Sequence, residues 1–250
     1  MTDVIVIGGG IAGCTTAYYL ARDGVSVTLV EQFTLGSQAS GINAGSLHAQ
    51  IQPEPFLEFG ESWARQFLPA LSLYKGAMSI WQDIESALGQ DLEVVVSGGI
   101  VVAATDDEMH AVEAKTALER GAGLDTELLS ASELRDRAPY VGPEHIGGAI
   151  CPIEGKASPL AATRAFAGAA RDLGATILEQ CPVTAIRRNR TGYEVDSGGE
   201  TLRAARVVNA AGIDAGRIAA LVGGSVDMQS FPIQLSVTEP LAPLIGHLVY

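Results

Sequence analysis

The chain has 250 residues, 47% of them hydrophobic, and a formal net charge of −13. That length can bury a substantial core in one or two domains, and the acidic balance argues against nucleic acid and polybasic membrane-surface modes, both of which need basic patches. No apolar run approaches the ~18 residues of a membrane-spanning helix; the longest, Val94–Ala104, is interrupted by Ser97, Gly98 and Gly99.

The pattern DVIVIGGGIAG opens the chain. Val4–Ile7 read as a buried strand, and Gly8, Gly10 and Gly13 occupy G-x-G-x-x-G positions before a helix over Ala12–Arg22. Gly24 stops that helix, and Val25–Val30 form a second strand ending on Glu31. The glycines allow a tight turn, close approach of a pyrophosphate and close helix–strand packing, while the helix N-terminus offers N–H groups to phosphates. The Glu31 carboxylate suits both hydroxyls of an adenosine ribose and would repel a 2′-phosphate, which disfavours NADP. Ile11, Ala12 and Gln32 flank these positions and count with the cofactor contacts. By itself this fingerprint leaves NAD and FAD open.

A small-residue loop, TLGSQASGINAGSLHAQ, follows without helical or strand period until about Leu47. Residues 56–90 have helical spacing of aromatic and aliphatic residues, with Pro69 expected to separate two helices. Residues 91–105 and 146–157 are each expected to form a hairpin. Between them lie a helix over Asp106–Gly121 and a short helix opened by the Ser130/Glu133 capping signal. Ser158-Pro159 starts a further helix ending at Gly174. Strands are expected at Ala175–Leu178, Pro182–Arg187, Tyr193–Val195, Thr201–Arg203 and Arg206–Asn209, the last running into Ala210-Ala211-Gly212.

Four stretches together resemble the glycine oxidase, sarcosine oxidase and D-amino-acid oxidase family of FAD enzymes. They are the fingerprint with Glu31, the loop GSQASGINAGSLHAQ, the run EGKASPLAATRAFAGAARDLGATILEQCPVTAI and the segment ARVVNAAGIDA. The resemblance implies an α/β fold: a Rossmann-type FAD-binding domain with a parallel sheet and an inserted antiparallel β-rich substrate domain. The expected division gives residues 1–81 and 151–230 to the FAD domain, and 82–150 with 231–250 to the substrate domain. It further implies that Ser40, Ala44, Gly45, Ser46 and Leu47 run along the cofactor toward the flavin ring. Val183 would meet adenine, and Ala210, Ala211 and Gly212 would pass under the pyrophosphate. His48, just after the loop, is a candidate flavin or substrate contact; no other catalytic side chain is singled out.

The segment FPIQLSVTEPL resembles the start of the family's substrate sheet, with Gln234-Leu235 where glycine-glutamine is common. Because family members continue well beyond this point, these residues are expected to be a fragment, inactive alone and with an open sheet edge after Phe231. The implied chemistry is oxidation of a C–N bond in a small amino acid or secondary amine, with oxygen or another electron acceptor as partner. Two alternatives share the fold: a 2-hydroxy-acid or glycerol-phosphate oxidoreductase, and a non-catalytic FAD-binding subunit, since heteromeric opine and hydroxyproline dehydrogenases resemble the NAGSLH loop. A homo-oligomer is equally compatible. The four histidines and three cysteines show no metal-ligand spacing, so no metal is expected. The cysteines (Cys14, Cys151, Cys181) form no C-x-x-C, and with a first strand that begins by residue 4 they fit a reduced, cytoplasmic setting.

Overall fold

A computed structural model describes residues 1–231, 233–239 and 241–250. In chain order the elements are β1 (Thr2–Ile7), α1 (Ile11–Arg22), β2 (Val27–Val30), β3 (Ser46–Leu47), α2 (Pro53–Leu88), β4 (Val95–Val96), β5 (Gly99–Ala103) and α3 (Asp106–Gly121). Then come β6 (Glu127–Ser130), α4 (Ala131–Arg137), β7 (Gly147–Cys151), β8 (Gly155–Lys156), α5 (Pro159–Asp172), β9 (Thr176–Leu178) and β10 (Val183–Arg188). The last are β11 (Tyr193–Ser197), β12 (Glu200–Asn209), α6 (Ala215–Ala220) and β13 (Leu248–Val249). The chain divides into two compact units, Met1–Ala44 with Ser158–Ser236, and Gly45–Ala157 with Val237–Tyr250.

The first unit is built on one six-stranded sheet of order β10-β11-β12-β1-β2-β9. The four strands from β12 to β9 run parallel, and β10, β11 and β12 form an antiparallel meander on one edge. The uninterrupted apolar run of β1 is what a central parallel strand requires, because both its faces are covered; Ile5 and Val6 are fully buried. Helices α1 and α5 pack on each other, with Tyr18 edge-on to Phe166 at 5.6 Å between ring centroids. The two strands expected at Thr201–Arg203 and Arg206–Asn209 are one. Residues 201–204 pair with β11 and residues 204–209 with β1, so β12 serves two neighbours along its length.

The second unit contains two small sheets, of order β13-β5-β7-β6 and β3-β8-β4. Here both expected hairpins are corrected. β4 pairs with β8, while β5 pairs antiparallel with β7, so the turn at Ser97-Gly98 carries the chain from one sheet to the other, and Pro152–Glu154 does the same between β7 and β8. The Gly98 N–H donates to the Glu154 carbonyl at 2.9 Å, tying the two corners together. Helix α2 also differs: it runs through Pro69, and its break is at Gly60, whose φ of 70° is left-handed. The capping boxes that open α3 (Thr105/Glu108) and α4 (Ser130/Glu133) are both formed. Ser158 sits at the N-cap of α5 but makes no side-chain cap bond.

The unit boundaries fall at 44/45, 157/158 and 236/237, where the expected division put them at 81/82, 150/151 and 230/231. Residues 45–81 go with the second unit because α2 packs along α3 there, with Phe56, Ala64 and Leu71 buried against Ala111, Ala114 and Leu118. In the stretch FPIQLSVTEPL, residues 231, 233–239 and 241 form no strand, and Phe231, Ile233 and Val237 are exposed. Pro232 and Pro240 of that stretch lie outside the described residues.

Candidate functional site

The C-terminal ends of the parallel strands are where open α/β sheets bind ligands. In the first unit a cavity of about 580 Å³ opens there, walled by the β1–α1 loop, the residues after β2, the loop 36–40, the start of β10 and the residues after β12. Gly8 at φ +114° turns the chain out of β1, and a Cβ on it would stand 2.3 Å from the Ala210 carbonyl oxygen. A Cβ on Gly10 would meet Ser40 Oγ at 2.8 Å. Both glycines are therefore required by the close packing of the β1–α1 loop against the residues after β12 and against Ser40.

Glu31 is buried, and its carboxylate accepts from Gly9 N–H at 2.5 Å and Phe33 N–H at 2.7 Å. A carboxylate has about four acceptor sites, so two remain for further donors such as a ribose diol. Ser40 Oγ accepts from Ile11 N–H, at the first turn of α1, at 3.0 Å. Its own hydroxyl proton is then available to a phosphate at that helix end.

Of the cofactor residues read from the sequence, Gly8, Gly10, Ile11, Ala12, Glu31, Gln32, Ser40, Val183, Ala210, Ala211 and Gly212 all line this cavity. Gly13 does not; it packs against the Gly8 carbonyl, where a Cβ would stand 1.8 Å from the oxygen. Ala44 ends the first unit away from the cavity wall, while Gly45, Ser46, Leu47 and His48 belong to the second, with Ser46 and Leu47 paired to Lys156 and Gly155 as β3 and β8. Sequence reasoning missed Cys181, Asp214 and Arg217, which also line the cavity. Asp214 closes a short 3-10 turn at Gly212–Asp214. The usable signal is the polar pair in GIDAGR directly after the second glycine site.

His48 sits in a buried polar chain of the second unit. Its Nδ1 is hydrogen-bonded to the Tyr250 hydroxyl, which donates to Glu154 Oε2 at 3.2 Å. Glu154 is fully buried and also accepts from Ala49 N–H, Gln50 N–H and Gln50 Nε2. Gln50 Oε1 in turn accepts from Lys115, which is paired with Glu119 at 2.7 Å. Burial, then the Glu154 charge, pushes the Tyr250 hydroxyl far above the usual tyrosine range, so it stays a donor. Among the described residues no group of His, Cys, Asp and Glu could hold a metal ion, and no helix is long and apolar enough to cross a membrane.

The family profile described as "FAD dependent oxidoreductase" (DAO) matches residues 3–248. The chain belongs to the DAO family. Glycine oxidase of Geobacillus kaustophilus (strain HTA426) is 29% identical over 252 residues, covering 99% of this chain and 64% of that protein. One of the subunits of opine oxidase from Rhizobium meliloti is 28% identical over 246 residues, covering 95% of this chain and 63% of that protein. A crystal structure of glycine oxidase from Geobacillus kaustophilus superposes with a TM-score of 0.78 at 28% identity, covering 89% of this chain and 58% of that one. The chain thus spans less than two thirds of these relatives' length. The DAO family's cofactor is FAD, and the cavity of this DAO chain fits a dinucleotide. It offers a glycine loop packed tightly between strand end and helix, a helix N-terminus for phosphates, and a carboxylate with acceptor sites to spare.

Proposed function

We propose that the whole protein is an FAD-dependent oxidoreductase acting on the C–N bond of a small amino acid or secondary amine. The observation that carries this is the dinucleotide cavity at the parallel strand ends, in a chain similar over nearly its full length to a glycine oxidase. The Gly8–Gly10 backbone, Ala210–Gly212 and the Ser40 hydroxyl would hold the pyrophosphate, and Glu31 the adenosine ribose. Val183, on the same wall, would border the adenine. When bound, FAD supplies a two-electron acceptor for the substrate's C–H hydride, leaving an imine that water hydrolyses. The second unit is the substrate domain in this reading, with Ala44–Leu47 leading toward the flavin.

A role as one component of a heteromeric enzyme is the second reading, favoured by the similarity to the opine oxidase subunit. The test is to purify the full-length protein, denature it and identify the released nucleotide, then mix the native protein anaerobically with glycine, sarcosine, D-amino acids and proline analogues. The expected result is a yellow protein that releases FAD and is bleached by one of these amines. A colourless protein that retains NADH would overturn the reading. Bleaching by 2-hydroxy acids or glycerol phosphate alone would overturn the amine assignment while leaving the cofactor.

A further inference from the structure

β2 and β12 flank β1 in the sheet. Side chains that follow them therefore meet only by reaching across the end of β1, a span of two strand spacings, or about 10 Å. Gln32 and Asp214 do this: Gln32 Nε2 donates to Asp214 Oδ2 at 2.9 Å. Arg217 holds the same carboxylate, with Nε donating to Oδ1 at 3.3 Å, and its Nη1 donates to the Val183 carbonyl at 3.2 Å. The bonded path thus runs from the end of β2 to the start of β10, and all four residues line the cavity. The charged side chains among the lining residues are Glu31, Asp214 and Arg217. Without Arg217, the two carboxylates of the cavity would repel a dianionic ligand; with it, one of them is neutralised.

We propose that Gln32, Asp214 and Arg217 form a charge-compensated strap over the adenosine half of the bound dinucleotide, and that this strap sets how long the cofactor is held. The proposal rests on the FAD reading above. Gln32 adjoins Glu31, the ribose acceptor, and Arg217 is anchored on Val183, so the strap crosses the adenosine end of the cavity. The Gln32–Asp214 bond opens for the cofactor to enter and re-forms once it is seated. Its loss therefore speeds both entry and release. The guanidinium contributes separately, to affinity rather than to gating.

The experiment measures FAD release from the reconstituted full-length protein as the recovery of flavin fluorescence on dilution, beside equilibrium titrations with FAD and with FMN, which lacks the adenosine half. Gln32→Ala should speed FAD release about tenfold, the scale of one hydrogen bond to a charged group. Gln32→Glu, which sets a third carboxylate against Asp214, should speed it further. Arg217→Ala should weaken FAD binding, and adding Asp214→Asn to it should restore much of the loss because the uncompensated charge is then gone. FMN binding should be the same in all variants. Unchanged FAD release in both Gln32 variants, or equal losses for FMN, would overturn the strap while a yellow wild type upheld the FAD reading. A wild type that holds no FAD would overturn both.

Discussion

Glu154→Ala should be the most damaging single side-chain deletion in the second unit. The carboxylate is fully buried and accepts four hydrogen bonds, from Ala49 N–H at 2.5 Å, Gln50 N–H at 2.8 Å, Gln50 Nε2 at 2.8 Å and Tyr250 Oη at 3.2 Å. Gln50 Nε2 has a second acceptor in the Gly99 carbonyl, but the two backbone N–H groups have no other acceptor among the described residues and belong to residues that are 0% and 2% exposed. A buried donor left without a partner costs about 1–3 kcal/mol, so the pair alone amounts to about 2–6 kcal/mol. That is a large part of the 5–15 kcal/mol typical of a domain. Glu154→Gln keeps one acceptor for the backbone donors but points an amide N–H₂ at Tyr250 and Gln50, so its loss should be intermediate. The assay is urea unfolding followed by tryptophan fluorescence. The chain's two tryptophans, Trp63 and Trp81, both lie on α2, so the signal reports the second unit alone. A Glu154→Ala transition within about 1 kcal/mol of the parent, similar to that of exposed Glu200→Ala, would refute the reasoning.

Two further predictions concern titrating groups. Burial above all, aided by Glu31 at one thiol and Glu154 at the other, pushes Cys14 and Cys151 up to about 12, whereas half-buried Cys181 lines the cavity. A thiol reagent at pH 8 should therefore label Cys181 alone in the native protein, more slowly with FAD bound, and all three in urea; early labelling of Cys14 would contradict this. Hydrogen bonds from Arg187 and Thr201 hold the Asp196 carboxyl down to about 2. Because this folded value lies below the unfolded one of about 3.9, the stabilisation is present above that pH and disappears as pH falls through about 2. The stability gap between wild type and Asp196→Asn, measured by circular dichroism, should close over that window, and a gap that stays constant would show that the pair contributes nothing.

The first unit is largely legible in the sequence because its signals are local. An apolar strand, a glycine fingerprint, a helix and an acid follow one another within a single βαβ segment, and eleven of the expected cofactor residues line the cavity. The second unit is not, because a hairpin and a sheet-to-sheet corner look alike in one dimension. Ser97-Gly98-Gly99 between two β-rich runs fits both, and only the distant partners, β8 for one arm and β7 for the other, decide between them. Pro69 reads as a break because proline usually ends a helix; here α2 continues past it, and the left-handed residue is Gly60. Asp214 and Arg217 show locally only as a polar pair after the second glycine site; what they bond to is not legible there, because their partners, Gln32 and Val183, are far away in sequence.

The antiparallel pair of β3 with β8 also bears on how the first unit's sheet comes together. β1 must find β12 across nearly the whole chain, and non-local pairing of that kind makes folding slow. The 45–157 segment of the second unit intervenes, but its two ends are pinned side by side, with Ala157 N–H donating to the Gly45 carbonyl at 2.9 Å beside the paired Ser46–Lys156 and Leu47–Gly155. Closing a flexible loop of roughly 110 residues costs about 4 kcal/mol of chain entropy. Once that segment has closed on itself, the cost no longer falls on the strands of the first unit. For β2 and α5, the long intervening segment then behaves as a short, fixed hinge, and the distance along the chain that matters for assembling the nucleotide fold is much less than its residue numbers suggest.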